Sequence, residues 1–334
     1  MAGIKDIAKM TGLSLATVSR VFNNSPLVSP KTREKVFEAA RKLDYQPNMM
    51  AASLRSGKSK IIGVVVPEVN NPFFSSIING IELQLRHFGY NIIIAQSHDS
   101  TEDEAKALES FVQLKADGIL MSLAKETTDF SHIQGVMKKE IPMVFFDRVP
   151  NLDPINSVVL NDFKGAHMAT QHLIEQGCRN LIHIAGDQHL SIFKQRKEGF
   201  LKALKAHGFP VTKNNFLELT WDMVRDTVAI KKLLLRHPEI DGFFTYGDEG
   251  CLYLMNILKA LKVDIPDQIK LMGFGNTDFS GLVDPKISTV DQKCNEMGLL
   301  AAEMLLKNLK REQMAFAQEV LSPELIKRES TYTG

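Results

Sequence analysis

Residues 4–22 read IKDIAKMTGLSLATVSRVF. Ile4, Ile7 and Ala8 recur at the spacing of one helix face, and the pattern breaks at Thr11-Gly12-Leu13. Glycine accepts the left-handed backbone of a tight turn, and Ser14 is placed to cap a second helix whose Val18 and Val21 face inward. This is a helix–turn–helix, with its second helix free to lie in a DNA major groove. Leu15, Ala16, Thr17, Ser19, Arg20 and Asn23 are left to point outward. Arg20 can form a bidentate pair with a guanine edge, whereas Leu15 and Ala16 can only pack, for instance on thymine methyls. A third helix follows, with Ser29 as N-cap, Pro30 at its first position, and Val36, Phe37, Ala40 and Leu43 expected on its buried side. Tyr45-Gln46-Pro47 should end it. Taken alone, residues 1–47 also suit a small helical bundle with a structural or protein-binding role.

Outward from this head runs NMMAASLRSG, residues 48–57, a short helical candidate stopped by Gly57. At about two turns it is marginal in isolation. A helix that forms only against DNA would set Leu54 as an apolar wedge in the minor groove; a plain linker is the alternative. Charge separates the same regions. Residues 1–60 hold 11 Lys/Arg against 4 Asp/Glu, a net of +7, and the remainder holds 29 against 35, a net of −6. A basic head on an acidic body is the electrostatic footprint of a small nucleic-acid module joined to something else.

IKDIAKMTGLSLATVSRVFN, VSPKTREKVFEAARKLDYQPN and AASLRSGKS together resemble the head and hinge of the LacI/GalR family of bacterial repressors. The match is ungapped over about the first sixty residues. The resemblance implies that Leu15, Ala16 and Arg20 read bases, that Thr17, Ser19, Asn23 and Tyr45 hold phosphates, and that Ala51, Leu54 and Arg55 lie in the minor groove. It also implies paired hinge helices prying open a central CG step of a near-palindromic operator. One helix–turn–helix reads too few bases for useful specificity, so a homodimer is expected. The tail after Lys327 carries no leucine heptads, which favours a dimer over a tetramer.

From residue 61 apolar runs alternate with amphipathic segments, the pattern of a parallel sheet flanked by helices. IIGVVV, YNIIIAQS, ADGILMS and IPMVFFD read as buried strands. The chain then repeats itself. GIELQLRHFG (80–89) matches GFLKALKAHG (199–208) at an offset of 119, while Asp117-Gly118 and Ile141-Pro142 recur as Asp241-Gly242 and Ile265-Pro266, both 124 residues on. Two similar Rossmann-like α/β lobes follow from this. Ligands of such sheets bind beyond the carboxyl ends of the strands, so facing lobes make a cleft. The family's body resembles a periplasmic-binding-protein of type I, in which the chain crosses between lobes three times. Here the crossings are expected near 157–161, 284–291 and 316–323. The expected organisation is a helix–turn–helix domain at 1–47, a hinge helix and linker at 48–59, and a ligand-binding and dimerisation core at 60–334. Within the core, one lobe takes about 60–158 and 288–317, the other about 159–286 and 320–330. ELIKRES (324–330) resembles the family's end, so the resemblance covers essentially the whole chain.

Strand-end candidates for holding a small effector are Phe73 and Phe74 in Asn71-Pro72-Phe73-Phe74, Asp147-Arg148, Asp187, Arg196, Trp221 and Gly247-Asp248. The Trp221 indole would stack on the C–H face of a sugar, unless it is a core residue. Asp147 would accept from hydroxyls, unless it only pairs with Arg148. Arg196, in the family-like RKEGF, would donate paired hydrogen bonds. The family usually shows an aspartate after a glycine–aromatic pair, where this chain has Gly273-Phe274-Gly275-Asn276, and an Asn-Asp pair where it has Gly247-Asp248. Both departures remove polar groups, so the effector should differ from that of a typical relative; Asn276 or Asp248 is expected to compensate. A sugar or sugar derivative is expected, with phosphorylated sugars and nucleobase-like ligands also in view.

Enzyme readings find little support. There is no GxGxxG after the first strand, no P-loop and no nucleophile elbow. No cofactor is called for, and the histidines show no metal-ligand spacing. Cys178, Cys251 and Cys294 form no CxxC pair and suit a reducing compartment. No apolar run approaches the roughly 18 residues of a membrane span, and the N-terminus lacks a signal-peptide layout, so a cytoplasmic location is expected. A sugar-binding or sensing protein without a DNA role remains the alternative that the body alone would permit.

Overall fold

The computed structural model describes residues 3–22, 25–45, 58–310 and 316–332. The chain divides at residue 59 into a small head and a large body. In the head, α1 (Ile4–Thr11), α2 (Leu15–Phe22) and α3 (Pro30–Lys42) close around Ile7, Val18, Val21, Val28, Val36, Ala39 and Ala40. Gly12 ends α1 at φ 66°, a backbone that a side chain would strain. Ser14 Oγ accepts from the Thr17 amide at 3.1 Å, and Ser29 Oγ accepts from the Thr32 amide at 3.2 Å, so both serines cap as expected. Phe37 departs from expectation: it is 41% exposed rather than buried. Val36, Ala39, Ala40 and Leu43 form the inward stripe, and Phe37 sits a step off it, packing edge-on against Phe22 at 5.8 Å.

The body's first sheet contains β1 (Ile61–Val66), β2 (Asn91–Gln96), β3 (Gly118–Met121), β4 (Met143–Phe146), β5 (Ser157–Leu160) and β11 (Gln318–Leu321), all parallel, in the order β11-β5-β4-β3-β1-β2. Helices α4 (Pro72–Arg86), α5 (Thr101–Gln113), α6 (Ser131–Met137) and α11 (Cys294–Leu309) accompany it. The second sheet holds β6 (Leu181–Ile184), β7 (Phe216–Leu217), β8 (Gly242–Thr245) and β9 (Lys270–Met272) in the order β7-β6-β8-β9, with α7 (Asp162–Glu175), α8 (Ser191–Ala206), α9 (Met223–Arg236) and α10 (Asp248–Ala260). In each sheet the first strand lies between the second and the third, so the internal repeat is one topology used twice. The antiparallel pair β10 (Thr289–Asp291) and β12 (Glu324–Ile326) forms a small sheet of its own, joined to the end of β9 and the segment after it by parallel bridges from Met272 to Ser288 and from Gly275 to Asp291.

The duplicated residues do the same work in both lobes. A Cβ on Gly80 would lie 2.3 Å from the Asn295 carbonyl on α11, and one on Gly199 would lie 2.3 Å from the Phe163 carbonyl on α7, so each glycine lets two helices touch backbone to backbone. Asp117 accepts from the Lys60 amide at 3.1 Å, and Asp241 from the Asn180 amide at 2.9 Å, each pinning the entry of its lobe's first strand. Two sequence readings need adjustment. β2 is an edge strand, not a buried one, and leaves Ile93 and Ile94 at 36% and 39% exposure. β5 and β11 extend the first lobe to 160 and 321, past the limits of 158 and 317, because a short edge strand such as QEVL carries little periodic signal. Among the described residues no helix is long and apolar enough to cross a membrane.

Candidate functional site

Two surfaces collect the predicted residues. On the head, Leu15, Ala16 and Arg20 are exposed along α2, Thr17 and Ser19 are half-buried beside them, and Val18 and Val21 anchor the opposite face. Thr17 Oγ1 and Ser14 Oγ are 2.9 Å apart, so the hydroxyl is fixed at the helix start. Tyr45 is half-buried and packs its ring 5.3 Å from Phe22. Asn23, Ala51, Leu54 and Arg55, and with them the hinge helix at 48–59, lie largely or wholly outside the described residues.

In the body, a cavity of about 120 Å³ opens between the lobes at the carboxyl ends of the strands. Phe73, Phe74, Asp147 and Arg148 line it from the first lobe, and Phe193, Arg196, Tyr246, Glu249 and Phe274 from the second. Larger hollows of about 180 Å³ beside Arg179 and about 510 Å³ at Phe37 carry no such convergence of polar groups at strand ends.

Arg196 is only 4% exposed and holds the second lobe together at this point. Its Nε donates to Asp162 Oδ1 at 2.8 Å, Nη1 to the Tyr246 carbonyl, and Nη2 to Gln292 Oε1 at 3.0 Å. The guanidinium also lies 3.8 Å from the centre of the Phe274 ring. Burial raises the Asp162 carboxyl, and the adjacent Arg196 charge opposes that rise. A buried pair of this kind is costly to break from one side, because it strands the other charge.

Asp147 follows β4 directly in a left-handed conformation, φ 59°. Burial pushes its carboxyl up to about 6, against the pull of Arg148. Arg148 donates from Nη1 to Asp99 at 2.6 Å, and its buried Nε has no hydrogen-bond partner. Glu249, in the first turn of α10, is also raised by burial.

Four predicted residues fall outside the lining: Asp187, which pairs with Lys125, and three that are held by other groups. Asp248 is buried and accepts from the Thr277 amide and hydroxyl at 2.9 and 3.0 Å and from the Thr289 hydroxyl at 2.6 Å, which ties α10 to the segments behind the cleft. Asn276 donates to Asp291 at 3.2 Å and accepts from Arg328 at 2.7 Å. Trp221 is half-exposed, packs 4.9 Å from Tyr253, and its indole donates to the Tyr246 hydroxyl, one residue removed from the cavity. Sequence reasoning missed Asp162, Phe193, Tyr246, Glu249 and Gln292. Phe193 and Arg196 are three apart on one helix, which was a usable signal; Asp162 and Gln292 gave none beyond following a strand. Lys125, after β3, meets Asp187, after β6, at 3.0 Å and bridges the two lobes.

Residues 59–327 match the family model described as periplasmic binding proteins and sugar binding domain of LacI family, and residues 3–48 match bacterial regulatory proteins, lacI family. The chain belongs to the LacI family. This LacI-family protein is 30% identical over 334 residues to the ribose operon repressor of Halalkalibacterium halodurans, covering 100% of this chain and 98% of the relative. The transcriptional regulator CelR in complex with cellobiose is 26% identical, with a TM-score of 0.74 and coverage of 99% and 100%. The Lac repressor dimer bound to operator and the anti-inducer ONPF shares the fold at a TM-score of 0.85 and 23% identity, over 99% of each chain. The named relatives are transcription regulators, not enzymes, and this LacI-family protein is a DNA-binding transcription regulator of the same kind.

Proposed function

We propose that this LacI-family regulator acts as a repressor on a near-palindromic operator with a central CG step, bound as a homodimer and governed by a carbohydrate in the inter-lobe cleft. The observation that carries the DNA reading is the capped α2, which holds Leu15, Ala16 and Arg20 outward on a head of net charge +7. Thr17, Ser19, Asn23 and Tyr45 hold phosphates, and Ala51, Leu54 and Arg55 enter the minor groove. The uncovered Ile93 and Ile94 on β2 support self-association. The aromatic and carboxylate lining of the cleft supports a sugar, as does the bound cellobiose of CelR. The regulator works in the cytoplasm, where its operator is. The effector changes the angle between the lobes and so the pairing of the hinges, a coupling that is reciprocal by linkage.

Selection of bound duplexes from a random pool by the purified full-length protein tests this. Recovery of a palindrome with a central CG is expected. Recovery of single half-sites only would remove the dimer, and recovery of nothing specific with or without a metabolite mixture would remove the operator reading.

A further inference from the structure

Two carboxylates of the first lobe fix the segment between β3 and α6, which is itself neither strand nor helix. Glu104, fully buried on α5, accepts from the Ala124 amide at 2.6 Å, the Thr127 hydroxyl at 2.8 Å and His132 Nε2 at 2.8 Å. Asp99, after β2, holds the tip. Its Oδ1 accepts from the Lys125 amide at 3.0 Å, and its carbonyl from the Glu126 amide at 3.1 Å. The same Oδ1 accepts from Arg148 Nη1 at 2.6 Å. Between Met121 and Thr127 only Lys125 and Glu126 are exposed. Lys125 Nζ reaches Asp187 Oδ2 in the second lobe at 3.0 Å, while the His189 amide takes Asp187 Oδ1 at 3.0 Å. His98 and Asp99 are both left-handed, φ 48° and 60°, a backbone that residues other than glycine keep only where their surroundings over-determine it.

We propose that Asp99 is a positioning residue that couples the cleft wall to the Lys125–Asp187 bridge between the lobes, an inference that rests on the reading of the cleft as the effector site. An ion pair this exposed holds only if its side chains start from a fixed backbone, since ordering two long side chains offsets most of the attraction. Lys125 takes that backbone from Asp99 Oδ1. Asp99, 35% exposed, is in turn steadied by the charge-assisted bond from Arg148, which lines the cavity. An occupant that draws the Arg148 guanidinium towards itself leaves Asp99 free to turn to water. The loop tip then loses its anchor, while Glu104 keeps the rest of the segment in place. Neither Lys125 nor Asp187 lines the cavity, so occupancy reaches the bridge through one shared oxygen atom.

The test treats the full-length protein with a carbodiimide, which joins an amine to a carboxylate only where the two touch. Mass spectrometry then quantifies the Lys125–Asp187 link against Lys286–Glu329, a pair of the same 3.0 Å length elsewhere in the body. Asp99→Ala and Arg148→Ala should each lower the link at least fivefold relative to that reference. Asp99→Asn should restore part of it, because its amide oxygen still accepts. The double variant should lose no more than Asp99→Ala alone, as expected of two groups acting through one atom. An unchanged link in Asp99→Ala, or losses that multiply in the double variant, overturns the proposal; so does a parent that forms the reference link but not this one. Melting curves check folding, and if Asp99→Ala does not fold, the loss in Arg148→Ala decides. Lys125→Asp and Asp187→Lys should each shift affinity for the selected operator about two- to fivefold, within the range of an exposed pair, and the two together should restore the parent value. No shift in either would remove the bridge from regulation. None of these measurements uses an effector, so a negative result removes the coupling and leaves the effector reading standing.

Discussion

Arg20 and Arg196 carry the same guanidinium into opposite surroundings. Arg20 projects from an exposed position on α2, while Arg196 is buried against Asp162, Gln292 and the Phe274 ring. A guanidinium in water keeps its fork free for a base edge; one already satisfied by protein groups shapes a site. Arg20→Ala should therefore relax selectivity at a single operator position, by about 1–3 kcal/mol against the wrong base. Affinities for duplexes varied one base pair at a time would show it, and uniform weakening at every position would contradict the role. The outward residues of α2 were legible because the helical period alone decides which side chains Val18 and Val21 leave outside. Trp221, Asp248 and Asn276 were not legible in the same way. Each sits in or near a strand-end loop, but their directions are set by Tyr253, Thr277 and Arg328, which are distant in sequence.

At the scale of elements, close helix contacts carry the body. α4 meets α11 at Gly80 and Gly298, and α7 meets α8 at Gly199. A methyl group at Gly80 would be only 2.3 Å from the Asn295 carbonyl, which belongs to helix backbone and yields only if α11 moves. Gly80→Ala should cost about 1–3 kcal/mol, the usual range for overpacking, read as a lowered urea midpoint with an unchanged slope. A midpoint equal to that of the parent would mean the helices can part freely. The repeat of glycines at 80/89 and 199/208 announced two similar units, since Gly89 and Gly208 close their turns at φ 70° and 74°. The partner helix at each contact was invisible, because α11 lies more than two hundred residues beyond α4. β2 illustrates the same gap: its apolar run is that of a buried strand, yet its place at the sheet edge leaves two isoleucines uncovered.

At the scale of the whole molecule, two ionisable features make the body responsive. His183 sits wholly inside the second lobe, stacked 4.7 Å from Phe244, and burial holds its imidazole down at about 4 rather than 6.5. Between those values the unfolded chain binds a proton that the native chain refuses, so stability falls as pH drops from about 6.5 towards 4. The loss from this residue is on the order of 3 kcal/mol. Asp147, raised to about 6, works in the opposite sense, since there the native state takes up the proton first. Comparing melts of the parent and His183→Phe across this range isolates the histidine; the variant's acid limb should be flatter, and parallel limbs would exclude the role. The second feature is the Lys125–Asp187 bridge between lobes, 3.0 Å long with side chains 48% and 26% exposed. Such exposed pairs contribute roughly 0.2–1 kcal/mol, so Lys125→Ala should weaken effector binding by a few-fold at most. Small-angle scattering should show the effector-bound protein opening; an unchanged profile and affinity would mean that the bridge does not hold the lobes.

By itself the sequence determined what depends on neighbours along the chain: the capped helices of the head, the face that α2 turns outward, the basic head on an acidic body, and the duplication of an α/β unit. Periodicity, capping chemistry and charge are local quantities, and they survive without knowledge of the fold. Tertiary structure decided which strand ends meet. It brought Asp162, Arg196 and Gln292 together from positions 34 and 96 residues apart, and it set Asp147 and Arg148 across the cavity from Glu249. Those relations arise from the packing of two lobes around three chain crossings, where proximity owes nothing to sequence spacing.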